Sequence, residues 1–101
     1  MKHIHNAQEF NDLISRNDVV IIDFYTKWCG PCKAVSPFFE KLQTEYPHIT
    51  FVKCDCEDSD DLIDSLGITN IPTFIKFVKG KKETVITGAD KNKILELVNG
   101  L

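Results

Sequence analysis

Long apolar runs are missing from this chain. The longest unbroken one is Val19-Val20-Ile21-Ile22, far short of the roughly 18 to 20 residues that a membrane-crossing helix needs. The opening Met1-Lys2-His3-Ile4-His5-Asn6 also lacks the apolar centre of a secretory leader. A basic field is missing too: 12 Lys and Arg against 15 Asp and Glu leave a formal charge of -3, which argues against nucleic acid and anionic membrane as partners. No internal repeat, low-complexity tract or Gly/Ser linker divides the chain, so residues 1–101 read as one domain with a modest core. These absences predict a cytoplasmic protein. They also give weight to Cys29, Cys32, Cys54 and Cys56, because in a reducing compartment cysteines are catalytic, metal-binding or free rather than permanently cross-linked.

Asn6, with Glu9 three residues on, predicts a helix start, and Phe10, Leu13 and Ile14 supply its apolar stripe over residues 7–16. Residues 19–25 are nearly continuous apolar and β-branched, the pattern of a central strand covered on both faces, in which Asp23 is an anomaly. Pro31 suits the first turn of a second helix that carries Val35, Phe38, Phe39 and Leu42 on one face, with Pro37 expected to kink it. Residues 49–54 read as a strand, followed by an acidic turn over 55–61 and a short helix ending near Gly67. Residues 73–78 and 83–87 form a hairpin joined by 79–82, and Asp90 caps a last helix. With a short edge strand at Lys2 to His5, this alternation predicts an α/β fold: a central mixed sheet, parallel in its first part, flanked by helices on both faces.

The pair Cys29-Gly30-Pro31-Cys32 falls where the central strand turns into the second helix. One helical turn separates the cysteines, so their side chains lie roughly 5 to 6 Å apart, close enough to bridge. Cys29 is at the helix N-terminus, where free amides and the macrodipole favour a thiolate, the form that attacks disulfides. Cys32 lies inside the helix and suits the second step, attack on the mixed disulfide. A desolvated Asp23 has a raised pKa and can take the Cys32 proton, directly or through water. Pro31 stiffens the loop. The competing structural reading is a zinc site completed by Cys54 and Cys56, but Cys54-Asp55-Cys56 has one intervening residue at a strand end, a poor spacing for zinc. The residues alone leave Lys53 open between a solvated strand residue and a partner of Asp23.

Trp28-Cys29-Gly30-Pro31-Cys32-Lys33, preceded by Val20-Ile21-Ile22-Asp23-Phe24-Tyr25 and followed by Pro37, resembles the active-site segment of the thioredoxin family. Ile71-Pro72-Thr73 stands where that family has its cis-proline loop, and Lys53 and Gly88-Ala89 match further family positions. Tyr25 and Thr26-Lys27 depart from its commonest residues. The resemblance covers essentially the whole chain and implies a thioredoxin fold with protein-disulfide reductase activity: Cys29 as nucleophile, Cys32 as resolving thiol, Asp23 as proton acceptor and Lys53 tuning Asp23. It implies a cis bond before Pro72, and a docking surface of Trp28, Gly30, Pro31, Ile71, Pro72 and Gly88 on which an extended target segment pairs as an added strand. The partners implied are disulfide-containing target proteins and a thioredoxin reductase that restores the dithiol. The chain itself is expected to be monomeric, with no cofactor and no metal.

Two other classes fit the same residues: an oxidase or isomerase with a more oxidising pair, and a binding module in which the cysteines are dispensable. Outside the motif, Cys54 reads as a buried apolar thiol and Cys56 as a partly exposed one open to oxidation, glutathionylation or linkage between chains. His3, His5 and His48 read as surface residues, Lys33 as part of a solvated face, and the acidic run Glu57, Asp58, Asp60 and Asp61 as a solvated helix start.

Overall fold

β2 (Val19–Tyr25) lies between two strands and is covered by helices on both faces, which is why its sequence is apolar at almost every position rather than at alternate ones. The structure is a computed structural model and describes residues 1–100; Leu101, the last residue of the expected domain, lies outside them. In chain order β2 follows β1 (Lys2–His3) and α1 (Ala7–Arg16). It precedes α2 (Gly30–Glu45), β3 (Thr50–Asp55), α3 (Asp60–Ser65), β4 (Thr73–Val78), β5 (Lys81–Thr87) and α4 (Lys91–Asn99). The sheet order is β1-β3-β2-β4-β5, with β1, β3 and β2 parallel and β4 and β5 antiparallel to their neighbours. This is the expected mixed α/β sheet.

Side chains alternate across β2 and divide the core in two. Val20, Ile22 and Phe24 pack with Val52, Cys54, Ile75 and Phe77 beneath Phe10 and Leu13 of α1 and Leu62 of α3. Ile21 faces the other way, with Phe51 and Phe74, against Val35, Phe39 and Leu42 of α2 and Ile94, Leu97 and Val98 of α4. Phe39 anchors α2 on this face, its ring 5.4 Å from Phe51 and 5.5 Å from Phe74.

Helix starts follow the expected chemistry. Asn6 Oδ1 accepts from the Glu9 amide at 2.8 Å, and Asp90 Oδ1 accepts from the amides of Asn92 and Lys93 at 2.9 and 3.2 Å. Pro37 lies within one continuous α2. The hairpin is tighter than expected: Lys79 and Gly80, both at positive φ (51° and 80°), form the turn, and β5 already begins at Lys81. Lys81-Lys82 resembles a loop in sequence because β5 is an edge strand whose early residues face solvent. The edge strand at the N-terminus is Lys2–His3 alone, with the Ile4 amide still donating to the Lys53 carbonyl at 3.1 Å.

Asp23 sits opposite Lys53 on β3 and Phe74 on β4, with its side chain on the α2 face of the sheet and no exposed surface. Neither carboxyl oxygen has a hydrogen-bond partner, an arrangement that strongly penalises the ionised form. Burial pushes this carboxyl up from 3.8 to about 7, against the pull of the Lys53 ammonium and with a smaller push from Glu40. The folded state therefore holds the Asp23 proton more tightly than the unfolded chain does. Its contribution to stability is full below about pH 4, declines as pH rises towards 7, and is lost above the folded-state value.

Replacing Asp23 with Ala should accordingly stabilise the oxidised protein at pH 8. A raised carboxyl carries about 1.4 kcal/mol per pKa unit, and a small cavity offsets part of the gain, so we expect roughly 2–4 kcal/mol. Denaturant unfolding at pH 4, 6 and 8 checks this. The advantage should close towards pH 4, and a variant that is no more stable at pH 8 than at pH 4, relative to the parent, would contradict it.

Candidate active site

The chain leaves β2 through Thr26, Lys27 and Trp28 and enters α2 at Gly30, which makes Cys29 the N-cap of that helix. Cys29 Sγ accepts a hydrogen bond from the Cys32 amide at 3.2 Å, a donor that has no partner within the first turn of the helix otherwise. That amide and the helix N-terminus favour negative charge on the same sulfur when the pair is reduced. Here Cys29 and Cys32 form a disulfide, with Cα atoms 5.3 Å apart. Both residues are nearly covered, whereas neighbouring Trp28 is 69% exposed. The Trp28 indole N–H donates to Glu57 Oε2 at 3.2 Å, so the acidic turn after β3 positions the exposed ring.

Three loops gather at one end of the sheet. Phe24 of β2 is the register partner of Thr73, and Thr73 is in turn the partner of Thr87 on β5. The Ile71–Pro72 peptide, which is cis, enters β4 at the same end at which β2 delivers the cysteine loop. Gly88 follows β5 there at φ 92°, and its amide donates to the Pro72 carbonyl at 2.8 Å. This positive φ is why glycine is needed at position 88. Gly30 has no such need: a Cβ built there meets nothing within 4 Å. An open groove bounded by Pro31, Ala34 and Val35 on one side and by Ala89 to Asn92 on the other runs beside the disulfide.

Behind the pair, α2 presents Cys32, Ser36 and Glu40 at four-residue spacing, one turn apart along one stripe. Ser36 Oγ donates to Glu40 Oε2 at 2.9 Å. The Lys53 ammonium donates to Ser36 Oγ and lies 3.5 Å from Glu40 Oε2, with the Tyr25 ring centre 4.8 Å away. A cavity of about 230 Å³ opens here, lined by Tyr25, Thr26, Lys27, Cys32, Lys33, Ser36 and Lys53, with room for several waters behind the resolving sulfur.

The structure brings Cys29, Cys32, Trp28, Gly30 and Pro31 together on one loop and helix start, with Asp23 and Lys53 as register partners on adjacent strands on the same sheet face as α2. Ile71, Pro72 and Gly88 stand at the same end of the sheet. Cys54 is buried in the core on the opposite sheet face, and Cys56 packs at the border of that core, so neither shares a site with the Cys29–Cys32 pair. Burial, with Asp55, Asp23 and Glu57 nearby, pushes the Cys56 thiol up to about 11. The buried Cys54 and the partly exposed Cys56 are as the sequence predicts, and the upward push disfavours the reactive thiolate form of Cys56. His3, His5 and His48 are at the surface, where His5 Nδ1 lies 2.9 Å from Asp58 Oδ2. Sequence reasoning missed Ser36, Glu40 and Glu57; for the first two, the four-residue spacing from Cys32 was the available signal.

Comparison with known proteins agrees with this geometry. The family model described as Thioredoxin matches residues 1–100. The chain is 40% identical over 99 residues to thioredoxin of Mycoplasmoides gallisepticum, covering 97% of this chain and 99% of that one. It is 44% identical over 85 residues to the mitochondrial thioredoxin-3 of Saccharomyces cerevisiae, covering 84% of this chain and 67% of that one. The solved structure of Plasmodium falciparum thioredoxin superposes with a TM-score of 0.96 at 32% identity, covering 99% of this chain and 98% of that one. A cysteine pair capping a helix at the end of this sheet, on a chain matched from end to end of its described length, has one reading: the chain belongs to the thioredoxin family of thiol-disulfide oxidoreductases.

Proposed function

We propose that the chain acts as one domain and divides the reduction of target-protein disulfides among its residues as follows. The Cys29 thiolate attacks one sulfur of the target disulfide; a mixed disulfide forms, and one target thiolate leaves and takes a proton from water. Cys32 then gives its proton to the Asp23 carboxylate, directly or through water in the cavity behind it, and the Cys32 thiolate attacks Cys29 Sγ. The second target thiolate leaves, and the Cys29–Cys32 disulfide remains. The target gains two electrons and the pair loses two.

The observation that carries this reading is the helix-capping position of Cys29 together with a buried, hydrogen-bond-free Asp23 on the sheet face that α2 covers. A carboxyl at about 7 exists in both protonation states at neutral pH, as a group that must take a proton and return it needs to. Lys53 tempers it from the neighbouring strand. Trp28, Gly30, Pro31, Ile71, Pro72 and Gly88 form the docking surface, where the backbone beside the cis bond pairs with an extended target segment. A thioredoxin reductase supplies the two electrons that restore the dithiol, so the chain needs no bound cofactor or metal of its own. We place it in the cytoplasm as a monomer; among the described residues, no helix is long and apolar enough to cross a membrane.

Cys32→Ser should trap target proteins covalently on Cys29, and reductant should release them. A Cys32→Ser protein that captures nothing which Cys29→Ser/Cys32→Ser does not also capture would count against the scheme. Because a methyl group at position 30 meets nothing within the chain, Gly30→Ala should fold with unchanged or slightly higher stability, by up to about 1 kcal/mol from helix propensity. If the glycine keeps the surface open for targets, the same variant should raise KM for a protein disulfide while leaving the reduction of a small disulfide within about twofold. Equal rates on both substrates would remove Gly30 from the docking surface.

A further inference from the structure

Lys53 is the register partner of Asp23, yet its ammonium group does not rest on the carboxylate. Both Asp23 oxygens lack a hydrogen-bond partner, while the Lys53 ammonium donates to Ser36 and pairs with Glu40 at 3.5 Å. The bond from Ser36 Oγ to Glu40 at 2.9 Å completes a closed polar cluster, and the Tyr25 ring covers the ammonium from another side. The Lys53 side chain is only 10% exposed. It therefore has little access to bulk water, and its protein partners lie either in the cluster on α2 or in the carboxyl of the adjacent strand.

We propose that Glu40, with Ser36 as its intermediary, is a positioning residue for the proton transfer: it anchors the Lys53 ammonium away from Asp23 and so leaves that carboxyl unpaired and free to take and return a proton. This rests on the reading that Asp23 receives the proton of Cys32. In a poorly solvated site, an ammonium in contact with the carboxylate locks it in the charged form and makes it a weak base. The same cation held off the carboxylate exerts a milder pull, in keeping with a carboxyl on which burial outweighs Lys53. The titratable groups that interact with Asp23 are Lys53 from β3, Glu40 from α2, Tyr25 on its own strand and Cys56 beyond β3, while its β4 neighbour is the apolar Phe74. Those facing the cluster from β1 are His3, the register partner of Lys53, and the Met1 amino group, both cationic when protonated.

The test is a titration of the Asp23 side-chain carboxyl carbon by NMR in the oxidised protein, where neither Cys29 nor Cys32 titrates. Glu40→Ala should lower the midpoint by about half a pH unit or more, because the freed ammonium turns to Asp23, and Glu40→Gln, which keeps a hydrogen-bond acceptor, should lower it less. Lys53→Met should raise it. The double variant Glu40→Ala/Lys53→Met should titrate like Lys53→Met alone, because Glu40 acts through Lys53. An unmoved midpoint in Glu40→Ala overturns the proposal, and so does a double variant whose shift is the sum of the two single shifts, since Glu40 would then act by its own field. A purely structural role for Glu40 lowers stability without moving this midpoint. The underlying reading is tested separately, by the pH dependence of mixed-disulfide resolution in Asp23→Asn. If that profile matches the parent's, Asp23 is not the proton acceptor, whatever the titration shows.

Discussion

A carboxyl group buried without a hydrogen-bond partner at the centre of the sheet is the constraint around which this structure is organised. Asp23 occupies β2, the most enclosed strand; its β4 neighbour Phe74 is apolar, and the Lys53 ammonium on β3 is held by Ser36 and Glu40. The unfavourable burial of one group is offset by the packing of Ile21, Phe39, Phe51 and Phe74 around it. The result is a carboxyl pushed up to about 7 on the sheet face covered by α2, the helix whose first turn carries Cys32. In the proposed scheme, stability is given up at the position where resolution needs a base.

The two ends of the reaction are built by different means. In the proposed scheme, attack on the target depends on a helix terminus: Cys29 caps α2, and the amide that donates to its sulfur is part of the backbone. That feature survives most side-chain changes, because it follows from where the helix begins. Resolution, as proposed, draws on side chains gathered across three elements, β2, β3 and α2, and would be open to adjustment through residues such as Glu40, which is half-exposed and within reach of solvent ions. Docking is a third, separable component. It is carried by loops at one end of the sheet, joined by the bond between the Gly88 amide and the Pro72 carbonyl, so the surface can vary without disturbing the redox pair or the buried carboxyl.

Much of the fold was legible because the patterns were strong and local. Continuous apolar residues over Val19 to Phe24 mark a doubly covered strand, with Asp23 visible as the exception, and Asn6 and Asp90 mark helix starts by a side-chain bond that requires only neighbouring amides. The start of β5 was misplaced because an edge strand with a solvent-facing side tolerates the same charged residues as a turn, and Lys81-Lys82 carries no local sign of which it is. Cys56 was legible as a partly exposed thiol from its chain position, whereas the upward push on that thiol depends on burial and on Asp55, Asp23 and Glu57.

By itself, then, the sequence determined the helix starts, the central strand, the reactive pair at a helix N-terminus and the presence of a charge where none belongs. Each of these depends on residues within one or two turns of each other, where covalent connection already limits the geometry. The tertiary structure alone decided where the Lys53 ammonium points, which carboxylate holds the Trp28 indole, and that Pro72 and Gly88 meet. Those outcomes depend on strand register and on a helix laid across the sheet, which bring residues far apart in the chain into a poorly solvated space where small differences in distance decide which charges pair.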